Sequence, residues 1–155
     1  MTPNQVEIIN INQQYLKYLD CRENYNKRLQ ICDSMIDTLN LGFTTYNYPV
    51  EIRDCKIETL IIHSTWFKKG FLFEKNIVNN KIQYEMGGHN ESPIIIKGNI
   101  FCDLFIFLDC QFLDKLIVVN NIFCNGSTLF GNLNNFEAEL QVENNIGCMD
   151  LQQFD

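Results

Sequence analysis

The 155-residue chain holds only three prolines, two histidines and one tryptophan, and its seven cysteines include no Cys-x-x-Cys pair. Neither His63 nor His89 is spaced with the cysteines at 21, 32, 55, 102, 110, 124 and 148 as a zinc site requires, so no metal is expected. No apolar run approaches the ~18 residues that span a bilayer. Met1-Thr2-Pro3-Asn4-Gln5 lacks the basic segment and apolar core of a secretory signal. Basic residues are also scarce: twelve Lys plus Arg face nineteen Asp plus Glu, a net charge of −7. Such a surface repels phosphate backbones, so neither a nucleic-acid partner nor a membrane is expected. An odd set of thiols without pairing motifs suits a reducing compartment, and a cytoplasmic protein is expected.

What is present is a globular composition, 46% apolar and 20% charged, with about twenty asparagines. Residues 5 to 40 show apolar side chains at Ile8, Ile9, Tyr15, Leu16 and Leu19, then Leu29, Cys32, Met35, Ile36 and Leu39, many of them roughly three to four apart. That spacing predicts helix, with Pro3 and Gly42 as start and stop signals and the polar stretch 21–27 dividing it in two. The β-branched segment Val6 to Ile11 leaves a short strand open as an alternative there. Residues 1–49 are therefore expected to form an α-helical cap on a second region, 50–155.

From residue 50 the period changes. Apolar-x-apolar pairs recur at Leu60/Ile62, Phe71/Phe73, Ile82/Tyr84, Ile94/Ile96, Phe105/Phe107 and Leu116/Val118, continued by Leu129 and closed by Leu140/Val142. The separation is mostly eleven residues. A second apolar series, Ile57, Phe67, Val78, Phe101, Phe112, Phe123 and Phe136, keeps the same register, with one slot near Gly88 to Asn90 lacking its member. Two residues before each stands a small or polar residue: Cys55, Thr65, Asn76, Asn99, Cys110, Asn121 and Asn134. Eleven residues cannot hold a helix pair, whereas alternate inward side chains are the mark of a strand. Two such units make one coil of roughly 22 residues, and about four coils of parallel β-helix are predicted, with Asn and Cys stacked at the turns.

The units Cys55–Thr59, Thr65–Lys69, Cys102–Ile106 and Cys110–Asp114 resemble the A(D/N)LXX unit of the pentapeptide-repeat family, in a degenerate form whose centres alternate by five and six residues. The resemblance covers about residues 53 to 130 and is interrupted at Gly87 to Pro93. It implies a right-handed, four-sided β-helix. Family members are mostly non-enzymatic, and some are acidic rods that mimic DNA.

No Ser, His and Asp cluster with recognisable context appears, and the six-residue period of left-handed β-helix acyltransferases is missing, so no catalytic residue and no cofactor are assigned. His63 follows an inward residue and is expected to face solvent, as is Trp66 beside Lys68 and Lys69. Eight acids and one base, Lys115, lie beyond residue 97, which places the whole net charge in the last third. A field of that shape steers a basic partner. Glu137 and Glu139, two apart, are expected on one face of a strand, with Glu143 and Asp150 nearby. These four, with Trp66 and His89, are the expected partner-binding residues. The expected function is non-enzymatic binding and inhibition of one basic protein partner, as an immunity protein or antitoxin neutralises a toxin. A self-assembling rod or a DNA mimic is the alternative. A monomer or small homo-oligomer is expected.

Overall fold

The computed structural model describes residues 5–131 and 133–152. It is a parallel β-solenoid of about six turns. One face carries seven strands in strict chain order, Ile8–Asn12, Arg28–Cys32, Val50–Arg53, Phe71–Glu74, Ile94–Lys97, Leu116–Val119 and Leu140–Glu143. Each pairs in parallel with the next, Ile8 opposite Arg28 and Leu116 opposite Leu140, so that the coil lengthens from 20 residues at the first turn to 24 at the last.

A second sheet stacks Tyr15–Asp20, Met35–Asn40, Lys56–Ile61, Ile77–Val78, Ile100–Phe101 and Ile122–Phe123. In the first three coils its strands run on around a corner. From the fourth coil a separate pair, Ile82–Glu85 and Phe105–Leu108, makes the third face. The fourth face is built of two-residue strands, Thr45–Tyr46 on Trp66–Phe67 and Gln111–Phe112 on Asn135–Phe136. Gly88 bridges Trp66 to Gln111 between them.

The predicted apolar pairs point inward throughout the repeat region. Phe73, Phe107 and Phe112 are buried, as are Cys55 and Cys110 at the turns. The core is one continuous column, and each coil buries its apolar face against its neighbours alone.

The N-terminal helical cap is not there. Residues 8 to 46 form strands and make two further coils, and the only helix among the described residues is a single 3-10 turn, Arg22–Asn24. The rod accordingly has about six turns instead of four. The apolar-x-apolar pair in fact begins at Ile9/Ile11 and runs through Leu19/Cys21, Leu29/Ile31, Leu39/Leu41 and Val50/Ile52, ten or eleven residues apart. Ten to eleven residues are also about three helical turns. Outward Ile8, Tyr15 and Met35 fill intervening positions and imitate the 3.6-residue period. Pro3, read as a helix start, lies outside the described residues.

Two columns of left-handed residues turn the corners. One is Gln13, Asp33, Asp54, Lys75, Gly98, Asn120 and Asn144, all with positive φ; the other is Phe43, Ser64, Met86, Asp109 and Leu133. An L-residue in that region costs roughly 1–2 kcal/mol, so each corner needs compensation. The residue after the first column supplies it. The Asn99 Oδ1 accepts the Asn76 N–H at 2.8 Å, the Asn121 Oδ1 accepts the Asn99 N–H at 2.9 Å, and the Asn145 Oδ1 accepts the Asn121 N–H at 3.0 Å. Each amide nitrogen also donates to a carbonyl of the preceding coil, Asn99 to Phe73 at 2.8 Å and Asn121 to Ile96 at 2.9 Å. Both capacities of a buried amide are thus used, which is why asparagine recurs at this position.

Candidate interaction surface

The fourth face carries the side chains that stand out from the rod. Its inner side is an aromatic stack, Tyr46, Phe67, Tyr84, Phe112 and Phe136, with successive ring centroids 5.8, 6.3, 6.3 and 5.6 Å apart. Tyr84 comes from the third face and fills the slot that the sequence leaves empty. Its hydroxyl donates to the Thr65 carbonyl at 3.1 Å and accepts the Gly88 N–H at 3.0 Å. Complete burial pushes the phenol well above its ordinary pKa. The stretch Gly87 to Pro93, where the repeat resemblance is interrupted, is the fourth face of its coil. Asn90 within it is buried and accepts the Leu113 N–H at 3.1 Å.

On the outer side Trp66 lies along the rod. Its Nε1–H donates to the Met86 carbonyl at 3.0 Å, and its ring stacks on His89 with centroids 3.9 Å apart. Two of the predicted contact residues are therefore joined. Phe43 and Met86, exposed on the second corner column, wall a groove of about 290 Å³ together with Thr44, Thr45, Ser64 and Trp66. His63 is half-buried against Phe43, centroids 4.9 Å apart, with its Nδ1 3.5 Å from the Glu85 carboxylate. Neither Phe43 nor Met86 belongs to an apolar ladder. Each occupies a left-handed corner position, where the side chain is thrown outward, and that signal becomes readable once the column is aligned.

The acidic residues lie apart from that groove and are spread around the last coil. Glu137 and Glu139 do not share a strand: they sit on the corner between the fourth and first faces, where the Glu137 N–H donates to Phe112 and the Glu139 carbonyl accepts the Leu116 N–H. Their two-residue spacing is spent on the bend. Glu139 pairs with Lys115 at 3.3 Å. Glu143 ends its strand and accepts from Gln141, and Asp150 accepts from the Cys148 thiol at 2.9 Å. All four acids are exposed. Asp155, also counted in the acidic third, lies outside the described residues. Trp66 is three coils from Glu137 and Glu139, roughly 14 Å along the axis at the usual ladder spacing.

Among the described residues no group of three His, Cys, Asp or Glu side chains is arranged to hold a metal, and no helix is long and apolar enough to cross a membrane. No protein-family model, no curated protein and no solved structure matches this chain.

Proposed function

We propose that the chain is a non-catalytic protein-binding solenoid of the cytoplasm that engages one basic protein partner and inhibits it, in the manner of an immunity protein or antitoxin. The observation that carries this reading is the exposed acidic end, where Glu137, Glu143 and Asp150 stand on a rigid support and Lys115 is the only base beyond residue 97. The groove beside Trp66 adds an apolar anchor on the same rod, the combination by which interfaces gain rate from charge and lifetime from a buried aromatic. The four-sided coil, with buried Ile57, Phe67 and Phe112 at the centres of three of the four units and the half-buried Leu104 at that of Cys102–Ile106, supports a degenerate, right-handed pentapeptide-repeat rod.

The test is recovery of the partner from the native host by the wild-type chain and by the triple reversal Glu137→Lys, Glu139→Lys, Glu143→Lys. Loss of recovery at low salt with folding intact supports the reading. Equal recovery by both chains makes the acidic end a solubility device.

One observation favours a second reading, a rod that self-assembles. At the first coil Ile9, Ile11, Leu16 and Leu19 are only partly buried, and the last three border a hollow of about 440 Å³. That edge has no paired strand among the described residues. Light scattering at rising concentration distinguishes the two.

A further inference from the structure

Two exposed cysteines occupy equivalent positions on adjacent coils. Cys102 and Cys124 follow the paired strands Ile100–Phe101 and Ile122–Phe123, and the ladder continues through them: the Cys124 N–H donates to Phe101 and the Cys102 N–H to Val78, both at 2.9 Å. Their neighbours on each side touch across the coils. Phe101 and Phe123 stack with centroids 5.0 Å apart, and the Asn125 amide donates to the Asp103 carboxylate at 3.0 Å. One coil further back in the same outward column, Asn79 donates to Glu58 at 2.6 Å, so side chains in this column reach one another. The in-register spacing of about 4.8 Å lies within the Cα separation of disulfides, roughly 4.4–6.8 Å.

We propose that Cys102 and Cys124 are a modification site, a dithiol that low-molecular-weight disulfides such as oxidised glutathione convert into an inter-coil disulfide. One protein thiolate attacks a sulfur of glutathione disulfide, forming a mixed disulfide and releasing glutathione thiolate. The second protein thiolate attacks the protein sulfur of that mixed disulfide and releases the second glutathione. Two cysteine thiols are oxidised, one glutathione disulfide is reduced, and the two protons leave with the two glutathione thiols.

Four of the five other thiols are poor competitors, and the fifth, the half-buried Cys32, lies on the first face in the second coil, away from this pair. Burial pushes Cys21 and Cys110 up to about 12 and Cys55 up to about 11, which keeps them protonated at neutral pH. Cys148 is engaged with Asp150. The consequence is mechanical. A solenoid opens from its ends because each coil is held by its neighbours alone, and a link between the fifth and sixth coils forces the last coils to open together.

The experiment treats the full folded chain with millimolar oxidised glutathione and maps non-reduced peptides by mass. The expected result is a Cys102–Cys124 crosslink about tenfold over glutathione adducts, because the second step is intramolecular, with slower amide exchange over residues 116–143. Cys124→Ser, an exposed position, should give only a glutathione adduct at Cys102 and unchanged exchange. Adducts at both cysteines without a crosslink, or a predominant link to Cys148, would overturn the proposal.

Discussion

The ring of Tyr84 lies where a side chain on Gly87 would have to go. A Cβ built on Gly87 meets the Tyr84 ring, and one built on Gly88 meets the Gln111 backbone. The two glycines thus let the fourth face close over a tyrosine borrowed from the third. Gly87→Ala should cost about 1–3 kcal/mol by overpacking. Tyr84→Phe should cost a similar amount, because the buried Thr65 carbonyl and Gly88 N–H lose their partner. Urea unfolding of both variants checks this, and a Gly87→Ala chain as stable as wild type would place the ring elsewhere.

Asparagine at the corner is expected to matter far more than asparagine on the surface. Asn99→Ala leaves the Asn76 N–H buried without a partner and removes one of the donors to the Phe73 carbonyl, a loss of about 2 kcal/mol or more. Asn80, exposed and bonded to Thr59, should tolerate alanine within ~0.5 kcal/mol. Amide exchange at Asn76 gives a local readout: it should accelerate in the first variant and stay unchanged in the second.

Alkaline pH should unfold the rod through its buried thiols. Burial raises the folded pKa of Cys21, Cys55 and Cys110 above the ordinary thiol value of 9.0. A raised folded pKa means the unfolded chain releases protons first. Stability is therefore full below pH 9 and falls between pH 9 and about 12, by about 1.4 kcal/mol per pH unit for each thiol. Thermal melts from pH 7 to 10.5 should show the decline, and Cys110→Val should make it shallower. A flat profile to pH 10.5 would contradict the burial of these side chains.

The groove and the acidic end should leave different kinetic signatures on a bound partner. Trp66→Ala removes a wall of the groove and should act on dissociation, by about 2 kcal/mol or roughly thirtyfold in Kd if the indole is a buried anchor. The Glu137, Glu139 and Glu143 reversals should act on association and fade at high salt. Surface plasmon resonance at two ionic strengths separates these. A salt-independent effect of the reversals would remove the steering role.

Much of this arrangement is legible in the residues. The eleven-residue ladders give the inward set, down to Phe136 and Val142, because a strand's alternation is local and each coil repeats it. The first two coils escape because Leu29/Ile31 and Leu39/Leu41 are spaced near three helical turns, and periodicity alone cannot tell the two apart. Tyr84 is read correctly as inward, but its filling of the empty slot escapes for another reason: its ring serves a face other than the one its backbone belongs to, a decision made by space and not by sequence position. The pairing of Trp66 with His89 is likewise a contact between coils, 23 residues apart in sequence, that only the register reveals.

The growth of the coil from 20 to 24 residues has a bearing on assembly. The two ends of the rod have different perimeters. A head-to-tail filament would ask a wide ring to seat on a narrow one, so strands matched on one side would drift out of phase around the circumference. The taper works as a built-in mismatch: it lets neighbouring coils within a chain follow one another smoothly while making the first and last coils poor templates for each other.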